Sequence, residues 1–207
     1  MMSKSIYVAI GDSLTAGKGD RDPEGRPIGW ALRLSRLLTA RTGTPFEFVN
    51  RAVNRATIAD VLAVQVPGLA ASHPDLITVS IGINDIRGSF QREAFARGVD
   101  EVFGVAAATG ATVATMTLPD IVSMLPLPAE LLPMAKELME QANAAIRDAA
   151  DAHGVLYVDA WYADEVAEPA FWSEDRVHPN ASGHTLIAEA FADLLEASST
   201  LAGVGKR

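Results

Sequence analysis

Leu76-Ile77-Thr78-Val79-Ser80-Ile81 is a nearly unbroken run of apolar and β-branched residues. Such a run is typical of a strand buried on both faces, as in a parallel sheet. With four similar runs it predicts five strands: Ser5–Ile10, Phe46–Asn50, Leu76–Ile81, Thr112–Thr117 and Val155–Asp159. Helical patterns alternate with them: Trp30–Arg41, Ile58–Leu69, Arg92–Ala108, Glu130–Ala152 and Pro179–Glu196. Strand and helix in alternation predict an α/β fold, with a parallel sheet covered by helices on both faces.

Length, charge and cysteine content limit the classes of function. The chain has 207 residues, a formal net charge of −9 and no cysteine. We expect a single domain over residues 1–197 and a flexible tail over 198–207. The lack of cysteine excludes disulfides, thiolate metal sites and a cysteine nucleophile. The acidic balance argues against a nucleic-acid partner, and the short apolar run before Gly11 predicts neither a signal peptide nor integral membrane association, so we expect a cytoplasmic protein.

The stretch Gly11-Asp12-Ser13-Leu14 directly follows the first predicted strand. Its serine hydroxyl is therefore expected at the carboxyl end of a strand, where ligands bind in open parallel sheets. A serine in this place is a candidate nucleophile if a histidine and a carboxylate reach it.

Among the four histidines of the chain, His178 is the best candidate partner for Ser13. It follows the last predicted strand, and Asp175 lies three residues earlier, so that the carboxylate can turn back to one imidazole nitrogen. The other nitrogen is then free to face a hydroxyl, as in a serine triad. Taken alone, the Asp-x-x-His pattern also fits a structural loop or an isolated pair of metal ligands. The other histidines have simpler roles: His73 at the opposite sheet edge, His153 as a helix C-terminal cap and His184 packed or solvated.

Gly82-Ile83-Asn84-Asp85 comes immediately after the third predicted strand. The Asn84 amide can donate a hydrogen bond to an oxyanion, although Asn and Asp are also common in ordinary turns. In a sheet of order 2-1-3-4-5, the first and third strands adjoin at the switch point. Ser13 and Asn84 would then face each other across the crevice.

Together, these three blocks resemble those of the SGNH hydrolases, also called GDSL esterases and lipases, over about residues 5–197. The resemblance implies a flavodoxin-like, three-layer α/β/α sandwich with a five-stranded parallel sheet of order 2-1-3-4-5. It implies that Ser13 is the nucleophile, His178 the general base and Asp175 its orienter. Asn84 and the backbone N–H of Ser13 would be oxyanion donors. The implied function is hydrolysis of a small carboxylic ester through an acyl-enzyme, without cofactor or metal.

One block departs from the family pattern. A glycine usually follows the second strand, and Arg55 stands where we expect it. The backbone N–H of Arg55 can still serve as a third oxyanion donor, but a non-glycine residue is strained if the position needs a positive φ. Alternatively, the loop is shifted and Asn54 or Ala56 donates. The Arg55 side chain either lies near the site, where it would favour anionic substrates, or points into solvent.

Two long loops, Leu118–Pro133 and Ala160–Val177, are candidates for the substrate pocket. From them and the serine turn we take the following substrate-binding candidates: Asp12, Met124, Leu125, Trp161, Trp172 and Val177. They suggest an apolar wall for a short- to medium-chain acyl or aryl group. Alternatively, the loop residues only pack their own loops.

Other functions remain open at this point. The same triad would serve a thioesterase, a lysophospholipase or an acyltransferase. A flavodoxin-like binding module without catalysis, or a family member impaired at Arg55, is also compatible with the fold. A phosphate-binding loop at Gly17-Lys18-Gly19 is not, because Asp12 stands where that motif needs glycine and Gly19 where it needs a hydroxyl.

Overall fold

The computed structural model of the chain describes residues 4–87, 90–125 and 127–198. Its sheet is built from β1 (Ser5–Gly11), β2 (Phe46–Asn50), β3 (Leu76–Ser80), β4 (Thr112–Met116) and β5 (Leu156–Val158). The strands lie in the order β2-β1-β3-β4-β5, and every adjacent pair is parallel. The predicted fold class and strand order are therefore confirmed.

Helices cover both faces of the sheet. They are α1 (Gly29–Thr42), α2 (Ile58–Asp60), α3 (Ile83–Ile86), α4 (Arg92–Ala107), α5 (Leu132–His153) and α6 (Ala181–Ala197). Helix α1 packs against α6, and α4 packs against α5. Trp30 of α1 stacks on Phe191 of α6 with ring centroids 4.5 Å apart, and both side chains are fully buried. Within the described ranges, no helix has the length and apolar character needed to cross a bilayer.

Three predicted helices differ from the structure by two residues or more at one end, and one of them, α5, begins at Leu132 rather than at Glu130. The segment after β2 is α-helical only over Ile58–Asp60 and continues as a wider π-helical turn over Val61–Gln65. The last helix begins at Ala181 rather than Pro179, because the Asn180 side chain accepts hydrogen bonds from two backbone N–H groups of its first turn. Of the predicted flexible tail, only Ser198 lies within the described residues, and its N–H bonds to the last turn of α6.

Candidate active site

Ser13, His178 and Asp175 form a continuous hydrogen-bonded chain. The Ser13 Oγ lies 2.8 Å from His178 Nε2, and His178 Nδ1 lies 2.7 Å from Asp175 Oδ2. A carboxylate only accepts hydrogen bonds, so Nδ1 carries the proton and Nε2 is left to accept from the serine. This is the arrangement in which an imidazole can remove a hydroxyl proton. The three side chains predicted as a triad are thus brought together.

Asp175 is held in its charged form by a dense set of donors. Its Oδ1 accepts from the N–H groups of Val177 and His178 at 3.0 and 2.9 Å and from the Ser173 hydroxyl at 3.0 Å. Partial burial opposes ionisation, but these bonds, together with that from the His178 ring, hold the pKa of Asp175 well below its usual range. A carboxylate that is charged at all physiological pH values orients the imidazole and stabilises its protonated form.

Two hydrogen bonds from the Gln65 side chain hold the turn that carries Ser13. The buried Gln65 side chain accepts from the Gly11 N–H and donates to the Gly11 carbonyl, both at 2.8 Å. Gly11 itself has φ +152°, and a Cβ there would collide with the Ser80 carbonyl. Glycine is therefore required where the chain leaves β1, and the two Gln65 bonds fix the direction in which Ser13 emerges.

Asn84 lies opposite Ser13, at the start of α3. Its Nδ2 donates to the Ala56 carbonyl at 3.0 Å and makes a longer contact of 3.4 Å with Asp12 Oδ2. The longer and weaker of the two leaves one amide hydrogen available to a competing acceptor. Asn84 thus ties the end of β3 to the loop after β2.

Asp12 is a buried carboxylate beside Ser13. Its side chain is only 2% exposed, and its Oδ1 accepts from the Leu14 N–H at 2.9 Å. Burial, supplemented by the nearby Asp85 carboxylate, raises the pKa of Asp12 to about 6 although the Leu14 hydrogen bond opposes the rise. The pKa of Asp85 is raised as well, by burial. The carboxyl groups of Asp12 and Asp85 thus both titrate at a higher pH than usual.

The backbone of Arg55 is in the left-handed conformation, which favours glycine. Its φ is +66°, in a turn closed by a 3.1 Å bond from the Ala56 N–H to the Val53 carbonyl. Arg55 lines a cavity that Ser13 and Asn84 also line. In the part of the chain that the structure describes, the N–H groups of Ser13 and Arg55 donate no hydrogen bond. Both are therefore free to donate to a bound oxyanion.

Two cavities meet at Ser13. The first, the apolar cavity, has a volume of about 300 Å³ and continues from Ser13 between α6 and the strand ends. Its apolar lining includes Ile83, Met116, Leu118, Ile121, Val158, Val166, Phe171, Trp172, Ile187 and Phe191. The second, the basic cavity, has a volume of about 630 Å³ and is lined by Ser13, Lys18, Asn54, Arg55, Thr57, Asn84, Arg87, Asp175, Val177 and His178.

The substrate-binding candidates divide between cavity and core. Asp12, Trp172 and Val177 line the apolar cavity. Met124, Leu125 and Trp161 do not: Met124 and Trp161 pack against the core, and Leu125 is half-buried in its own loop. The apolar cavity is also lined by three residues that were not predicted, Ser80, Met116 and Val158, which end β3, β4 and β5. Their place at strand ends was the available signal.

The remaining histidines line neither cavity at Ser13. His184 is fully buried, with Nδ1 accepting from the Trp30 N–H and Nε2 donating to the Lys18 carbonyl. Burial lowers the pKa of His184, in keeping with a neutral, structural imidazole. His153 ends α5 and lies 2.8 Å from Asp100, and His73 has φ +46° in the turn before β3.

Comparisons with known proteins agree with this arrangement. The model of the GDSL-like Lipase/Acylhydrolase family matches residues 9–186. An acetylxylan esterase from Geobacillus stearothermophilus is 28% identical, covering 88% of this chain and 90% of its own. Among solved structures, LAE5, an alpha/beta hydrolase enzyme from the metagenome of Lake Arreo, Spain, is 26% identical with a TM-score of 0.74, over 97% of this chain and 98% of its own.

An acetylxylan esterase structure from Geobacillus stearothermophilus has a TM-score of 0.75 at 24% identity, over 94% of this chain and 96% of its own, which supports the fold. The family match extends across most of the chain, from β1 into α6, and includes all three blocks of the site. The chain is a member of the GDSL-like lipase/acylhydrolase family, within the SGNH superfamily, and a carboxylic ester hydrolase.

Proposed function

We propose that the protein hydrolyses short- to medium-chain acyl or aryl esters through an acyl-enzyme on Ser13. The observation that carries this proposal is the chain of hydrogen bonds from Ser13 through His178 to Asp175, located where the apolar cavity opens. A nucleophile, a base and an oriented carboxylate within hydrogen-bond distance are what serine acyl transfer requires.

In the first step, Ser13 Oγ attacks the ester carbonyl while His178 Nε2 takes the hydroxyl proton. The carbonyl π electrons move onto the oxygen, giving a tetrahedral oxyanion. When the oxyanion collapses, the bond to the alcohol oxygen breaks and His178 returns the proton to that oxygen. Water then attacks the acyl-enzyme by the same sequence, releasing the acid and restoring Ser13.

The oxyanion is held by three donors in this proposal: the N–H groups of Ser13 and Arg55, and Asn84 Nδ2. Both N–H groups lack a partner in the described structure, and the Asn84 contact with Asp12 is long enough, at 3.4 Å, to be exchanged for a stronger acceptor. Because Arg55 already has φ +66°, its N–H is placed as a glycine's would be. The arginine therefore keeps the donor, at the expense of backbone strain.

The apolar cavity is proposed to take the acyl part. Its volume of about 300 Å³ and its aliphatic and aromatic lining suit a short or medium chain or a single ring. The likeness to an acetylxylan esterase supports acetyl as one such group. The same geometry would act on thioesters, and the alcohol part is considered below.

Replacing Ser13 by alanine is the direct test. We expect turnover of 4-nitrophenyl esters to fall by about four orders of magnitude or more, and labelling by a fluorophosphonate probe to be lost. The matched control is Ser182→Ala, an exposed serine at the start of α6, which should keep both activities. Near-normal activity in Ser13→Ala would refute the nucleophile assignment. A series from acetate to palmitate then measures the chain length that the apolar cavity accepts.

A further inference from the structure

The basic cavity carries more positive charge than the site's chemistry requires. Lys18, Arg55 and Arg87 all line it, and all three are exposed to solvent. Arg55 and Arg87 form no ion pair within the described ranges, and Lys18 Nζ is 3.9 Å from Asp175 Oδ2. The whole chain has a formal net charge of −9, so three cations around one cavity are a local reversal of its overall charge.

The one acid that lines this cavity, Asp175, offsets only one of the three positive charges. Asp175 is already the acceptor for the His178 ring at 2.7 Å and for two backbone N–H groups and a hydroxyl. A distance of 3.9 Å leaves Lys18 without a close hydrogen bond to it. The cavity beside Ser13 is therefore positive and open to a ligand.

We propose that the basic cavity binds an anionic group carried by the alcohol part of the ester, a carboxylate or a phosphoryl group. This inference rests on the proposed function, because it needs a leaving group to be protonated by His178. Arginine presents planar, paired donors that match both kinds of anion, and lysine adds a point charge. The preferred substrate is then an ester whose alcohol part carries a carboxylate or a phosphoryl group.

The charges of the apolar cavity assign the anion to the alcohol rather than the acyl part. Besides apolar side chains, that cavity is lined by the carboxyl groups of Asp12, Glu165, Glu189 and Asp193 and by one cation, Arg87, which also lines the basic cavity, so acidic groups predominate. These carboxylates would repel an anionic acyl chain. The leaving oxygen must also lie next to His178 Nε2; His178 lines both cavities, whereas Lys18, Arg55 and Asp175 line only the basic one.

Matched esters separate charge from intrinsic reactivity. The anionic probes are 4-acetoxybenzoate and 4-acetoxyphenyl phosphate, and the neutral probe is 4-acetoxybenzamide; all three transfer the same acetyl group. For each protein we compare the ratio of kcat/KM for an anionic probe to kcat/KM for the neutral probe. Because the leaving-group chemistry is the same in every variant, a change in this ratio measures only how the protein treats the charge. The two anions show whether a carboxylate or a phosphoryl group is preferred.

The variants remove cations one at a time: Lys18→Gln, Arg55→Gln and Arg87→Gln. We expect the ratio to fall by about fivefold for each, a typical upper value for an exposed charge pair. The matched control is the double variant Lys4→Gln with Arg97→Gln, which removes two exposed cations outside both cavities and should leave the ratio unchanged. Raising ionic strength from about 0.01 M to about 1 M should also lower the wild-type ratio.

If the anionic-to-neutral ratio of kcat/KM is unchanged in all three variants, this inference is overturned. The proposed function still stands in that case, provided that the wild-type protein hydrolyses the neutral ester and Ser13→Ala does not. A fall seen only with 4-nitrophenyl hydrogen glutarate, which places the charge on the acyl part, would overturn the assignment to the alcohol. If the purified protein hydrolyses none of these esters, the proposed function fails with it.

Discussion

Replacing Asp12 by asparagine should make the protein more stable and slower. Asp12 is buried beside Ser13, and its carboxylate contacts the Leu14 N–H at 2.9 Å and Asn84 Nδ2 at 3.4 Å. Asparagine keeps the size of the side chain and an acceptor for Leu14. It removes the negative charge and presents an amide to Asn84 where a carboxylate oxygen now lies. Stability and activity should therefore change in opposite directions.

The expected gain in the free energy of unfolding follows from the raised pKa of Asp12. Burial raises the pKa of Asp12 from 3.8 to about 6, a shift of about 2 units, and each unit corresponds to about 1.4 kcal/mol. Ionised Asp12 therefore costs about 3 kcal/mol of stability above pH 6. Losing the weak bond to Asn84 offsets about 1 kcal/mol of this. The variant should have a free energy of unfolding about 2 kcal/mol above wild type at pH 8.

The sign of the pH dependence is fixed by proton binding. Between about pH 4 and 6, folded Asp12 binds a proton that the unfolded chain has released, so wild-type stability falls as pH rises through this window. The advantage of Asp12→Asn should therefore grow from about pH 4 to about pH 6 and then level off.

Urea denaturation at several pH values measures this difference, and ester hydrolysis should slow by about tenfold or more as Asn84 loses its orientation. The control is Asp60→Asn, because exposed Asp60 has a pKa lowered by its bonds to Thr57 and should lose stability at neutral pH. A difference between Asp12→Asn and wild type that does not vary with pH would refute the reasoning.

Three further outcomes are expected from substitutions in and around the site. Arg55→Gly should raise the free energy of unfolding by about 1 kcal/mol, because glycine accepts φ +66° without strain; Arg55→Ala, which keeps the strain, is the control in thermal unfolding. Asp175→Asn should lower kcat by about 10³- to 10⁴-fold in steady-state assays through loss of imidazole orientation, and a loss below tenfold would contradict its role. Gln65→Met should destabilise by about 2 kcal/mol in urea denaturation, since it orphans the buried N–H of Gly11 while the Gly11 carbonyl keeps the Val53 N–H, whereas half-buried Gln141→Met should change little.

Much of the fold was predictable because parallel strands are buried on both faces. The apolar run Leu76–Ile81 and its four counterparts gave every strand to within one residue at each end. The π-helical turn over Val61–Gln65 was not predictable, because it depends on the contact of Gln65 with Gly11, 54 residues away in the chain. Helical periodicity reports a buried face and does not register a polar side chain that bonds across the core.

The site was predictable where chemistry depends on short motifs. Ser13, Asn84, Asp175 and His178 lie as their blocks predict, because each block follows a strand or precedes a helix. The cavity walls were not, since Met124 and Trp161 lie in long loops whose side-chain directions depend on tertiary packing. No local pattern distinguishes an aromatic residue that packs inward from one that faces a cavity.

The contact of His184 with α1 has a consequence for how the enzyme is inactivated by heat. Ser13 lies on the turn after β1, whereas His178 lies on the loop before α6. Helix α6 is held by the hydrogen bonds of His184 to Trp30 and Lys18 and by the stack of Phe191 on Trp30. Ser13 and His178, the proposed nucleophile and base, thus belong to parts of the molecule that can separate while the strands remain paired. Inactivation by heat would then report the release of one helix rather than the melting of the sheet.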